Sequence, residues 1–232
     1  MLVIGELING MYANIGKAIK DKDKTVIQKC ALEQVKSGAD ALDVNCGPPQ
    51  VIESGLKALK GKAIINSTTA DAQKLEALVP LAKKYNTKLI ALTISSKGIP
   101  QNKDQRMELA ATIVSFCQEQ GFSIEDLYLD PIVLPVNVAQ AQMHDILESI
   151  REFKIISHPS PKTIVGLSNV SQGTNLRSLI NRTFLTMAIA SGLDAAILDP
   201  NDLDLMDAAI TTELILNKQI YCASYLDAYR KK

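Results

Sequence analysis

Residues 164–173 read IVGLSNVSQG. The first four, Ile164-Val165-Gly166-Leu167, form a short, continuously apolar run, which predicts a strand buried on both faces. The chain then passes at once into Ser168, Asn169, Ser171 and Gln172, all polar and all uncharged. A buried strand that ends in neutral hydrogen-bonding groups points to a parallel α/β fold, in which ligands bind beyond the carboxyl ends of the strands.

The same pattern recurs along the chain. Strands are predicted over 2–8, 41–46, 62–66, 88–95, 127–134, 162–168 and 195–199, with helices near 24–37, 50–60, 71–84, 104–120, 138–153, 178–191 and 202–217. Ser67-Thr68-Thr69 stands where the cap of the 71–84 helix is expected. Gly38, Gly121 and Gly192 each follow a helical stretch, as C-terminal caps do. No linker, low-complexity tract or charge block divides the chain, so one domain over 1–232 is expected. Repeated βα units allow either an open doubly wound sheet or a closed barrel. No G-x-G-x-x-G follows the first strand, and the nearest approach to a phosphate loop, Gly55 to Gly61-Lys62, has the wrong spacing and continues into Ala63. A TIM-type (β/α)8 barrel is therefore favoured.

Composition narrows the choice of partner. Hydrophobic residues make up 47% of the 232, aromatics only 4% and Trp none, so aliphatic packing must carry the core. Twenty-five basic residues balance 25 acidic ones, which removes the electrostatic case for nucleic acid or an anionic membrane. No apolar run reaches the ~20 residues of a membrane span, and the opening MLVIGELING lacks the basic start of a signal peptide. Cys30, Cys46, Cys117 and Cys222 lie far apart with no C-x-x-C pair, and read as reduced thiols of a cytoplasmic protein.

Polar residues gather where the predicted strands end: Glu6 and Asn9, Asp43 and Asn45, Asn66 to Thr68, Thr93 and Ser95, Asp130 and Asn137, Ser168 to Gln172, and Asp199. Each has an ordinary use. Asn66-Ser67-Thr68 could cap a helix, Asp130-Pro131 and Asp199-Pro200 could start turns, and Glu6 and Asp43 could bond internally. Their convergence on one end of every strand is what a scaffold alone does not require. His144 and His158 are the only histidines, and neither has a metal-ligand neighbour at usable spacing, so no protein-bound metal is expected. No G-x-S-x-G elbow is present, and Lys62 and Lys162 stand at strand starts. Asn, Asp, Ser and Gln suit a flat, amide-rich heterocycle, and a carboxylate such as Asp130 can accept two hydrogen bonds from an amino-pyrimidinone edge.

The runs GELINGM (5–11), ALDVNCGP (41–48), INST (65–68), LYLDPIVLPVNVAQ (127–140), GLSNVSQ (166–172) and RSLINRTFL (177–185) resemble the pterin-binding methyltransferases. The likeness is greatest to the methyltetrahydrofolate:corrinoid/iron–sulfur protein methyltransferases and their relatives in glycine-betaine demethylation. The resemblance implies a homodimeric TIM barrel with methyltetrahydrofolate in its mouth and a corrinoid (cobalamin) supplied by a separate partner protein. It matches Asn66, Asp130 and Asn169 to positions that hydrogen-bond the pterin, and Gly166, Ser168, Gln172 and Arg177 to their surroundings; Glu6, Asn9 and Asp43 are further candidates. Asn169 matches the asparagine at N5 of the folate and is the expected catalytic residue. A methyl on a tertiary amine leaves poorly, and hydrogen bonding to N5 that strengthens in the transition state makes that departure feasible. The reduced corrinoid is itself a strong nucleophile, so the protein need not supply one.

Two departures accompany the resemblance. Leu7 stands where relatives commonly carry Arg. After residue 48 the chain lacks a helix and strand of roughly 30 residues, about one unit of an eight-unit barrel, and with them an LDST run whose Asp grips the pterin in relatives. Either the protein lacks that unit or the sequence as recorded has lost it; a chain truly without it should hold pterin weakly. Two alternatives therefore stay open, a non-catalytic folate-binding barrel and a dihydropteroate-synthase-like enzyme. The latter would want a basic motif near the last strand, where AAILDPNDLD (195–204) is acidic.

Overall fold

The computed structural model describes residues 1–44, 49–59 and 61–230; Asn45 and Cys46, expected to close the second strand, lie outside the described residues. In chain order the elements are β1 (Leu2–Ile8), α1 (Ala13–Asp21), α2 (Lys24–Lys36), β2 (Ala41–Val44), α3 (Pro49–Ala58), β3 (Ile64–Thr69), α4 (Ala72–Lys84), β4 (Lys88–Leu92), α5 (Lys103–Glu119), β5 (Leu127–Asp130), α6 (Val136–Ala139), α7 (Met143–Phe153), β6 (Lys162–Gly166), α8 (Arg177–Ala190), β7 (Ala195–Leu198), α9 (Leu203–Ile215) and α10 (Tyr225–Arg230). Seven strands are found among the described residues, as the sequence led us to expect, and the strand pairs are parallel. No described helix is long and apolar enough to cross a membrane. The chain forms two compact units, one of Met1–Asn45, Leu134–Val138 and Gly166–Lys232, the other of Cys46–Val133 and Ala139–Val165.

In the first unit β1 lies between β2 and β7. Ile4 pairs with Ala41 and Gly5 with Leu42, yet Ile8 pairs with Val44, so β1 carries one extra residue at Glu6-Leu7. Such a bulge bends the strand and leaves a backbone group without its ladder partner. The buried Gln34 of α2 supplies the substitute, its Oε1 accepting from Leu7 N at 3.0 Å. Gly5 makes this approach possible, because a Cβ there would stand 2.4 Å from that oxygen. Helix α1 was not expected from the sequence, and Gly16 within it shows why. Glycine lowers helix propensity by ~1 kcal/mol, but a Cβ at 16 would meet the Gly10 carbonyl oxygen at 2.5 Å. Asp23 caps α2 by accepting from Thr25 N at 2.9 Å, and Asp202 caps α9 by accepting from Leu205 N at 3.1 Å. Helices α8 and α9 pack on each other and bury Leu185, Ile189, Leu205 and Met206.

In the second unit the strand order is β3-β4-β5-β6. Its core is aliphatic, built from Ile65, Leu75, Val79, Leu89, Ile113, Leu127 and Leu129 with Phe153. Helix α5, capped by Asn102 accepting from Gln105 N at 3.0 Å, buries Ala110, Ile113, Val114 and Cys117 along one face, with Arg106 at the head of the same stripe. Several expected boundaries move. Ser67-Thr68-Thr69 is strand rather than cap, because Thr68 pairs with Ala91 and Thr69 with Leu92; α4 starts after Asp71, whose carboxylate accepts from Ser96 N at 2.7 Å. The strand expected over 127–134 ends at Asp130, since Pro131 has no N–H to donate. The expected helix near 138–153 is interrupted after α6, where Ala139 leaves helical geometry at φ −128°, and resumes as α7. Gly38, Gly121 and Gly192 take positive φ after their helices, as expected.

Gln34→Leu keeps the side chain's bulk but orphans Leu7 N. It should cost roughly 1–3 kcal/mol, read as a thermal midpoint lowered by several degrees for a chain of this size. An unchanged midpoint by calorimetry would show that the bulge needs no side-chain acceptor.

Candidate active site

In the first unit the β1 bulge turns Glu6 toward the start of the Leu167–Ser171 helical turn, where its carboxylate accepts from Ser168 Oγ at 2.7 Å. Burial raises the Glu6 pKa, the Ser168 hydrogen bond opposes this, and the Asp199 and Asp43 carboxylates raise it further while Arg177 lowers it. Arg177, at the start of α8, is exposed; its Nε donates to Ser171 Oγ at 3.2 Å and its Nη2 to the Ser168 carbonyl at 3.4 Å. Tyr12 joins the group from the loop after β1, its pKa raised by burial and then by Glu6 and Asp199. Glu6 thus holds the serine and feels the charges of Asp199, Asp43 and Arg177.

Beside them, Asn169 is exposed and follows β6 by three residues. A Cβ at Gly166 would stand 3.1 Å from Asn169 Nδ2, closer than side chains ordinarily pack, so glycine leaves the amide its position. Gln172 is exposed as well, and its backbone N–H closes the turn onto the Asn169 carbonyl at 3.2 Å. The Asn9 carboxamide oxygen accepts from Met11 N at 3.0 Å within a local turn. Leu7 lines a cavity of about 370 Å³ whose wall is apolar at Ile15 and Val26 and charged at Lys29 and Glu33.

The second unit holds Asn66 and Asp130 on β3 and β5, with β4 between them. Asn66 is level with Ile90 and Asp130 with Leu92, so the two sit at neighbouring levels near the strand ends. A second bulge falls at Ser67, between Asn66 and Thr68, and frees Asn66 from the ordinary alternation of faces. Asn66 is exposed, whereas Asp130 is only 8% accessible. Thr93 holds the Asp130 carbonyl twice, through its backbone N at 3.0 Å and its Oγ1 at 2.9 Å. Asp130 Oδ1 accepts from Ile132 N at 2.8 Å, and Ile132 adopts φ 64°. A β-branched residue there carries strain on the order of 1–3 kcal/mol, and strain of this kind collects at functional sites.

Sequence reading missed Tyr12, Arg106 and Ile132. Arg106 did leave a trace, as a charged residue heading an otherwise apolar stripe at helical spacing; Tyr12 and Ile132 owe their roles to loop geometry that no spacing reports. Asp199 takes the turn-forming use weighed for it, its Oδ1 accepting from Asn201 N at 2.9 Å, and its charge also reaches Glu6.

Comparison with known proteins gives the site its family. The family described as pterin binding enzyme matches residues 46–199. The chain is 26% identical to the methylcorrinoid:tetrahydrofolate methyltransferase of Eubacterium limosum, over all of this chain and 97% of the relative. That alignment spans 266 positions against 232 residues here, so at least 34 positions have no counterpart, enough for the absent helix–strand unit. Methionine synthase of Mycobacterium tuberculosis is 27% identical over 63% of this chain, which spans only 13% of that much longer protein. Two solved dihydropteroate synthases share the fold: one from Yersinia pestis with a pterin–sulfa conjugate (TM-score 0.62, 14% identity, 93% of this chain and 94% of that one), and one from Coxiella burnetii with pteroic acid (0.63, 13%, 92% of each). The fold is the α/β fold of the TIM-type dihydropteroate synthases, with seven strands among the described residues, and the chain belongs to the pterin-binding enzyme family.

Proposed function

We propose that this protein moves a methyl group between N5 of a tetrahydrofolate and the cobalt of a corrinoid carried by a separate protein. The observation that carries the reading is the Gly166–Gln172 segment, which offers an exposed, uncharged amide at Asn169 beside a serine already engaged by Glu6. A full-length relative named for that transfer supports it. In this reading Asp130 and Asn66 grip the amino-pyrimidinone edge of the pterin, Gly166 lets the backbone approach the ring, and Ser168, Gln172 and Arg177 frame it. Glu6 holds the Ser168 hydroxyl, and Asp43 acts on Glu6 through its charge.

The chemistry follows from where electrons go. When the folate is the donor, the N5–methyl bond breaks, its electron pair stays on N5, and a proton neutralises the nitrogen. The partner's reduced corrinoid supplies the pair that forms the new bond to carbon; in the opposite direction the two bonds exchange roles. Asn169 can donate to N5 as electron density builds there and accept once N5 carries a proton. A neutral amide does both without a protonation step of its own. The reading also treats the chain as a single pterin-binding domain. Likeness to dihydropteroate synthases extends to fold, but Asp199 and Asp202 end β7 and cap α9 where a diphosphate would want basic groups.

Two measurements bear on this reading. Asn169→Ala should slow single-turnover methyl transfer by about two powers of ten, the usual worth of one donor aimed at developing charge, while folate affinity changes little; equal losses in both would count against a transition-state role. Glu6 is the pH marker. Its raised pKa means that the folded chain holds its proton more tightly than the unfolded chain, so the ionised carboxylate becomes a cost as pH rises through the folded value. Glu6→Gln should therefore melt above wild type at neutral pH, with the gap closing as pH falls toward the ordinary carboxyl value of 4.5. A gap that widens in acid would reverse the assigned environment.

A further inference from the structure

Arg106 is the largest fully buried side chain among the described residues, with no accessible surface. It stands on the apolar face of α5, where a leucine or methionine would be the ordinary occupant. Its Nε donates to the Pro131 carbonyl at 2.8 Å and its Nη2 to Gln142 Oε1 at 2.8 Å, while Nη1 has no hydrogen-bond partner among the described residues. Both acceptors are neutral. Asp145 is the carboxylate whose charge reaches it, and burial outweighs that help. A buried guanidinium so weakly compensated is a poor device for stability, since apolar replacements of similar volume often do as well or better.

Its position suggests a different use. Pro131 is the middle residue of the turn Asp130-Pro131-Ile132. On one side Thr93 grips the Asp130 carbonyl, and on the other Asp130 Oδ1 is tied to the N–H of Ile132 in its left-handed conformation. Left alone, the turn would relax toward an unstrained isoleucine and carry the carboxylate with it. We infer that Arg106 is a positioning residue for Asp130: by holding the Pro131 carbonyl from beneath, it keeps the strained turn, and hence the ligand-binding carboxylate, in its receiving orientation. Gln142, anchored next to α7, orients the guanidinium in turn. The inference rests on the reading of Asp130 as the carboxylate that grips the pterin edge.

The test is a cycle of variants in the full chain, with tetrahydrofolate dissociation constants measured calorimetrically at a temperature where each variant is folded. Arg106→Met should weaken binding about tenfold or more, the loss expected when a charge-assisted tether goes. Ile132→Gly, which can take the same φ without strain, should change binding by about threefold or less on its own. Combined with Arg106→Met it should restore most of the lost affinity. A purely structural arginine predicts the reverse: a lower melting temperature, unaltered affinity in the folded protein and no rescue by glycine. Gln142→Ala removes only the outer tether and serves if Arg106→Met does not fold; it should give a smaller loss, again rescued by glycine at 132. If Asp130→Asn abolishes binding while Arg106→Met and Gln142→Ala bind as wild type does, the positioning role is wrong and the pterin reading stands. If Asp130→Asn binds as tightly as wild type, or wild type binds no tetrahydrofolate, the pterin reading is wrong and the inference goes with it.

Discussion

A parallel strand covered on both faces has nowhere to put a polar side chain except at its ends. The apolar centres of the strands show this: Ile164 and Val165, Leu127 and Leu129, Ala195 and Ala196 are all fully buried, and the candidate ligand-binding groups gather toward the carboxyl ends. The constraint makes the carboxyl ends a polar region without any further instruction from sequence. What the sequence adds is selection: the groups gathered there are mainly amides, hydroxyls and carboxylates.

Two β-bulges refine the arrangement. In the first unit the extra residue at Glu6-Leu7 brings the Glu6 carboxylate to Ser168, and α2 repairs the broken ladder with Gln34. In the second, the irregularity at Ser67 sets Asn66 out of step with its strand. The turn at Asp130 adds local strain at Ile132. The last two devices lie next to residues assigned a ligand-facing role and the first next to the carboxylate that holds Ser168, and none falls at the amino ends of strands. The chemistry asked of the site is correspondingly light. A methyl group that passes to a metal nucleophile requires a held ring and one adaptable donor, and a neutral asparagine supplies the second without being charged in either state.

Much of this was legible beforehand because burial on both faces writes itself as unbroken apolar runs. All seven strands were found that way, and the βα alternation followed. The boundaries were less legible, since they depend on partners elsewhere: Thr68 and Thr69 look like a cap until Ala91 and Leu92 pair with them. Helix α1 was invisible because Gly16 answers to the Gly10 carbonyl and not to helix propensity. At the site, residues carried by motif (Asn66, Asp130, Asn169) could be named from sequence. Arg106 and Ile132 could not, because their work consists of holding a turn whose shape no local pattern encodes. Asn9 shows the converse, a strand-end amide whose oxygen serves its own turn.

The uncharged amide at Asn169 has its assigned purpose only if a folate methyl actually moves. The most direct measurement mixes the wild-type chain with methyltetrahydrofolate and reduced free cobalamin under anaerobic conditions and follows the spectrum. Growth of methylcobalamin absorbance, dependent on protein and saturable in folate, is the predicted result. Folate that binds measurably while the cobalamin spectrum stays that of the reduced form would contradict it, and leave a folate-holding barrel in place of an enzyme.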